Sequence, residues 1–232
     1  KNIKVLKPQA AYDLPIAPLA EENPYVNSEP VNVAPMATHF AVTKLSNSGK
    51  QTTAVTETAI GKTRYDLQTN QSVQNRLVVY PDGTIGAAFT FGITEAAFAD
   101  RGTGYNYYDG SAWGAQPTVR VETARCGWPS YDDFGAGEFL VTHNGSTGLL
   151  VSTRAAKGTG AWTQQTLVGP VTSDGSTALL WPRAITNGNT IHIIACTNQE
   201  LSGGNPITYQ GLHLALVYIR STDGGSTWDA PV

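Results

Sequence analysis

The chain has 232 residues, 41% hydrophobic and 14% charged, with 24 Gly, 10 Tyr and 5 Trp; such a composition can bury a sizeable core and asks for many turns. Fifteen Lys and Arg against 18 Asp and Glu leave a net charge of -3 without a basic run, which excludes the electrostatic footprint of a nucleic-acid binder. The longest apolar run, "LALVYI" at Leu214–Ile219, falls far short of the roughly 20 residues of a membrane-spanning helix, and "KNIKVLKPQA" lacks the apolar stretch of a secretion signal, which has either been removed already or never existed.

In chain order, residues 1–51 are Pro-rich and irregular ("KPQAAYDLPIAPLAEENPYVNSEPVNVAPM") and read as an extended segment or linker. Residues 52–232 read as an all-β body. From about Val73 short runs rich in Val, Ile, Thr, Tyr and Phe are bounded by Gly, Asn and Asp: "SVQNRLVVY", "TIGAAFTFG", "GYNYYDG", "TVRVETA", "GEFLVTHN", "GLLVSTR", "QQTLVG", "TIHIIACTN" and "GLHLALVYIRS". None carries a helical period over three turns.

Internal similarity organises these strands. Trp128-Pro129 and Trp181-Pro182 each precede a turn, an apolar strand ending in a polar pair (His143-Asn144; Thr197-Asn198), a loop, a further strand and a closing tryptophan (Trp162; Trp228). An earlier copy closes with Trp113, and "QELSGGNPITYQG" lengthens one loop of the last. Repeats of about 50 residues built from four strands predict β-propeller blades, here near 73–123, 124–170 and 178–232.

Cys126 and Cys196 either form one disulfide in an oxidising compartment or are two small buried hydrophobes. The four histidines have no ligand spacing with them or with one another, so neither a metal nor a cofactor is expected.

"STDGGSTW", Ser221–Trp228, follows the pattern S-x-D-x-G-x-T-W. It resembles the Asp-box, the bacterial neuraminidase repeat of sialidase-like propellers, with Ser221, Asp223, Gly225, Thr227 and Trp228 in the motif positions. The spacing has a scaffold rationale: Ser221 and Asp223 accept turn N–H groups, Gly225 supplies a positive φ, and Trp228 folds back into the apolar layer. "RLVVYPDGT", "ADRGTGYNYYDG", "GWPSY", "KGTGAWTQ" and "LLWPRAIT" extend the resemblance, whose nearest form is the secreted or surface Asp-box proteins of Bacteroidetes, many carrying a type IX secretion sorting domain. The resemblance implies an outer-surface or secreted protein.

Sialidase activity is not implied. Val73, Gln74 and Asn75 stand where that family has Arg-Ile-Pro, so the first arginine of its carboxylate clamp is missing, and Arg76 comes three residues late. Asp100 in "FADRG" falls roughly where the family's acid/base aspartate would and is the one weak catalytic candidate. The resemblance places a ligand face opposite the Asp-box turns, carrying Arg76, Arg125, Trp128, Trp181 and Arg183, with Arg101 and His143 in its outer loops; the other reading of a Trp before Pro at a strand start is packing between blades, and of a lone Arg there a pair with a neighbouring carboxylate. Two readings follow: a non-catalytic propeller module binding glycan or protein, which is favoured, or a glycoside hydrolase or lyase whose carboxylates come partly from other blades. Because propellers close with four to eight blades, the chain is expected to be the N-terminal half of one of roughly six, completed by a cleaved or partner polypeptide or by a further segment.

Overall fold

The structure is a computed structural model; it describes residues 57–68 and 74–232, all within the unit Thr56–Val232. The extended segment read for residues 1–51 lies outside the described residues.

The fold is all-β. Strands β1 (Leu77–Val79), β2 (Ile85–Phe91) and β3 (Gly102–Tyr108) form the first antiparallel sheet. Strands β4 (Gly127–Phe134), β5 (Gly137–His143), β6 (Leu149–Arg154) and β7 (Thr163–Leu167) form the second, a four-stranded meander. In the third, β9 (Thr190–Thr197) is central and pairs with β8 (Leu179–Asn187) on one side and β14 (Leu216–Ser221) on the other. Between β9 and β14 the lengthened loop folds into two small hairpins, β10–β11 (Leu201–Ser202, Asn205–Pro206) and β12–β13 (Thr208–Tyr209, Leu212–His213). Beyond Ser221 the chain turns back: Val232 exchanges main-chain hydrogen bonds with Tyr218, and Asp229 N–H donates to Arg220, so 229–232 occupies the fourth-strand place. Three meanders packed face to face in chain order are propeller blades.

Three strands differ from their expectation. Among the described residues of "SVQNRLVVY", Leu77–Val79 alone join a ladder. "TVRVETA" forms no strand, because the Glu122 carboxylate takes the Thr103 N–H at 2.8 Å in place of a backbone carbonyl. "GLHLALVYIRS" is broken at Leu214, which has φ 53, while Thr197 Oγ1 accepts the Ala215 amide.

The core lies between blades. Phe139, Val141, Leu149 and Val151 of the second blade meet Ile191, Ile193, Val217 and Ile219 of the third; fully burying each such side chain contributes about 1.5–3 kcal/mol. Between the first and second blades, Ala88, Tyr131 and Leu140 pack with Val78, Tyr105 and Trp162. Here Glu138, fully buried, accepts from the hydroxyls of Tyr105 (2.5 Å) and Tyr131 (2.6 Å), from Arg154 Nε (2.6 Å) and from the Gly158 amide (3.1 Å). The Arg154 guanidinium lies 4.5 Å from the ring centres of both Tyr105 and Trp162, so the buried charge is paired on every side. The other face of the first blade is covered by residues 57–68: Asn106 donates to the Ile60 carbonyl, and Gln68 exchanges hydrogen bonds with the Thr90 backbone like a strand residue.

Candidate functional site

The strand-entry tryptophans mark one end of the propeller. Both β4 and β8 bulge at the same place, between Gly127 and Ser130 and between Leu180 and Arg183. At each bulge the tryptophan adopts a left-handed backbone, φ 52 at Trp128 and 50 at Trp181. A bulky residue holds that conformation at a cost of about 1–3 kcal/mol unless its surroundings fix it, and here they do. Trp128, Trp181, His143 and Arg101 are exposed only 7, 7, 4 and 8%. His143 stacks on Trp128, with ring centres 4.8 Å apart, and its Nδ1 accepts the Trp181 amide at 2.8 Å. Arg101 lies 4.6 Å over Trp128 and donates through Nε to the Cys126 carbonyl.

These four were candidates for a ligand face, with packing between blades as the other reading of the two tryptophans; the structure buries all four. They form a packed joint between blades, in which His143 Nδ1 and Arg101 Nε bond to main chain and the buried Trp128 Nε1 has no hydrogen-bond partner. Burial, with the charge of Arg101 adding to it, lowers the pKa of His143 to about 3, leaving a neutral acceptor rather than a general acid or base. Arg125 is likewise engaged, donating to the Phe98 and Ala97 carbonyls. The cysteines do not pair: both are free thiols, Cys126 buried and Cys196 half-buried, and burial pushes both upward in pKa.

Asp100 caps the loop after β2, its carboxylate accepting the amides of Ile93 (2.9 Å) and Thr94 (3.1 Å). Burial alone would raise its pKa, but these amides outweigh it and hold the group below the usual range, so it stays ionised. It forms one wall of a cleft of about 500 Å³ lined by Phe91, Thr94, Asp100, Val119, Arg120 and Glu122. Its lining mixes apolar and polar groups: Phe91 and Glu122 are buried, and Val119 is 72% exposed. Sequence reasoning missed Val119, Arg120 and Glu122 because "TVRVETA" reads as a strand, whereas Arg120 pins the segment as a loop by donating to the carbonyls of Ala99, Glu122 and Thr123.

Arg76 and Arg183 lie close enough for their charges to interact. Arg76 Nη2 donates to the Gln68 carbonyl, and its pKa falls to about 10 through burial and the charge of Arg183. Arg183 Nη1 donates to the Trp181 carbonyl. Beside them a cavity of about 370 Å³ is lined by Asn75, Ser130, Arg183, Ile185 and Ile194.

At the opposite end, Ser221 Oγ accepts the Gly225 amide at 2.8 Å, and Asp223 takes both the Thr227 amide (2.8 Å) and its hydroxyl (2.6 Å). The Thr227 bonds, with Ser221, lower the pKa of Asp223 to about 2. Gly225 has φ +88, and Trp228 packs against the core between the second and third blades. The motif is closed upon itself.

No family model matches the chain, and no curated protein does. Among solved structures it is similar to the catalytic domain of the Coprinopsis cinerea GH62 alpha-L-arabinofuranosidase, with 16% identity and a TM-score of 0.44 over 75% of this chain and 53% of that one. It is also similar to Bacteroides ovatus xyloglucan PUL GH43B, with 14% identity and a TM-score of 0.39 over 74% of this chain and 32% of that one. The chain therefore spans about half the length of the first and a third of the second.

Proposed function

We propose that the protein is a secreted or cell-surface propeller module that binds glycan without cleaving it. The cleft beside Asp100 carries this reading. Phe91 and the exposed Val119 in its lining suit the apolar face of a sugar ring, and Asp100, Arg120 and Thr94 suit hydroxyl groups. Binding is favoured over hydrolysis because both carboxyl groups of the cleft are engaged by the protein's own donors, Asp100 by the amides of Ile93 and Thr94 and Glu122 by Thr103 N–H and Oγ1. Membership among the Asp-box propellers, an extracellular location and completion of the propeller by further polypeptide belong to the same proposal.

The test is retention on a panel of immobilised polysaccharides, with reducing ends assayed in parallel. At least one polysaccharide should retard the protein, and Thr118→Trp, which fills the cleft from an exposed position, should abolish retention. Absence of retention across the panel sinks the binding reading, and release of reducing ends replaces it with the hydrolase.

A further inference from the structure

The cleft beside Asp100 has walls of different origin. One is the loop between β2 and β3, and the other is residues 118–123 of the connection from the first blade to the second. That connection is held to β3 by the Val121 amide on the Thr103 carbonyl at 2.9 Å and by the Glu122 carboxylate on Thr103. From the second blade, Gln164 accepts the Thr123 amide and hydroxyl, both at 3.1 Å, and donates to the Val121 carbonyl at 3.2 Å. Arg120 supplies the tie across the cleft. Its Nη1 donates to the Ala99 carbonyl on the loop at 2.9 Å, while Nε and Nη2 donate to the Glu122 and Thr123 carbonyls at 3.0 and 3.1 Å. Among the described residues this is the one hydrogen bond that joins 93–100 to 118–123. Gly102 makes room for it: a Cβ there would stand 2.6 Å from both Cβ and Cδ of Arg120, so the arginine stem packs directly on the backbone that opens β3.

Three charged side chains line the cleft, Asp100, Arg120 and Glu122, and each is engaged by the protein itself: Asp100 by two loop amides, Glu122 by Thr103, Arg120 by three carbonyls. On the flanking segments Glu95 pairs with Arg64, and Arg125 donates to the Ala97 and Phe98 carbonyls. A uronate or sulfate would bring a fixed negative charge beside Asp100 and Glu122, where like charges repel. Recognition of such an anion uses a guanidinium fork turned toward it, and the fork of Arg120 is turned on main chain. The exposed surface that remains is uncharged, namely Thr94, Ala99, Thr118 and Val119.

We propose that Arg120 is a positioning residue, a strut that fixes the width of the cleft, and that the ligand is an uncharged glycan meeting Val119, Ala99 and the two threonines. The charge of Arg120 serves the walls. A guanidinium has five N–H groups, and those left over from the three carbonyls suit a sugar hydroxyl. The inference rests on the glycan-binding reading of this cleft and narrows it to polymers without carboxylate or sulfate.

The experiment is retention of the whole chain on immobilised neutral polymers (arabinan, galactomannan, mixed-linkage glucan) and uronate polymers (polygalacturonate, alginate). At least one neutral polymer should retard the parent, and neither uronate polymer should; this comparison needs no variant. Arg120→Ala should weaken retention by about tenfold, as loss of preorganisation does, and millimolar methylguanidinium should restore it by refilling the slot. Arg120→Lys keeps the charge without the fork and should lose as much, which a cation acting directly on the ligand would not. Thermal unfolding checks the fold of each variant, and should Arg120→Ala fail to fold, Arg120→Lys takes its place. Equal retention on a uronate polymer, parental retention by the variants, or no rescue of folded Arg120→Ala overturns the inference while glycan binding stands. Retention on no polymer at all overturns both.

Discussion

His143 and Trp181 are joined by a 2.8 Å hydrogen bond in which the imidazole Nδ1 accepts the tryptophan amide, tying the end of β5 to the bulge that opens β8. The bond requires a neutral ring, and burial with the nearby Arg101 charge holds the folded pKa at about 3 against an ordinary 6.5. Between those values the unfolded chain binds the proton and the folded one does not. The contribution of this group is thus full above about pH 6.5 and is lost on acidification toward pH 3, by up to about 1.4 kcal/mol per pH unit. Denaturant titrations at several pH values should show that slope, and His143→Gln should remove its share; an identical slope in the variant refutes the assignment.

Glu138 is the buried anion that four donors converge on. Glu138→Gln leaves Arg154 buried with no carboxylate, and loss of one member of a buried pair costs about 3–5 kcal/mol. Tyr105→Phe, which removes one of the hydrogen bonds, should cost about 1.5–3 kcal/mol, as for a bond to a charged acceptor. Unfolding curves of both variants and of the double variant check this: the double should cost less than the two singles added.

Two glycines in the first blade should separate cleanly. A Cβ at Gly86 would lie 1.7 Å from the Tyr131 hydroxyl oxygen, so Gly86→Ala must push the first and second blades apart and should cost at least about 2 kcal/mol. Gly83 has φ +82 with open space around it, and Gly83→Ala should cost only about 1 kcal/mol of backbone strain. Equal melting temperatures for the two variants would contradict the close approach of Gly86 to Tyr131.

The Asp-box turn is scaffold, and Ser221→Ala tests it. The hydroxyl is buried, accepts the Gly225 amide and donates to Asp223, so its loss should cost about 1–2 kcal/mol while retention on glycan is unchanged. Loss of retention at full stability would move function to this end of the molecule.

The thiols give a compartment-independent check on the joint between blades. Cys126 should react with a disulfide reagent only on unfolding, Cys196 slowly in the native protein, and no intramolecular disulfide should form under mild oxidation, since both are free and Cys126 is fully buried. A native Cys126–Cys196 bridge in the mass spectrum would overturn this.

The sequence by itself determined the strand type, the repeat and the turn chemistry. Alternation in "TIHIIACTN", the Trp-Pro spacing and the S-x-D-x-G-x-T-W pattern are local, and local hydrogen bonding and side-chain alternation act within a few residues. Tertiary structure decided what those residues face. Trp128, Trp181, Arg101 and His143 look alike in sequence whether they line a ligand face or a joint; only the approach of neighbouring blades buries them together. The loop at Val119–Glu122 was misread as a strand because Glu122 substitutes a side-chain oxygen for a ladder carbonyl, a partnership across 19 residues that no alternation records. Likewise, Ser130 and Asp132 accept the Ala184 and Thr186 amides of the next blade, 54 residues on, a partnership legible only once the blades are packed, because the polarity of an interface is a property of the pair of surfaces and not of either strand.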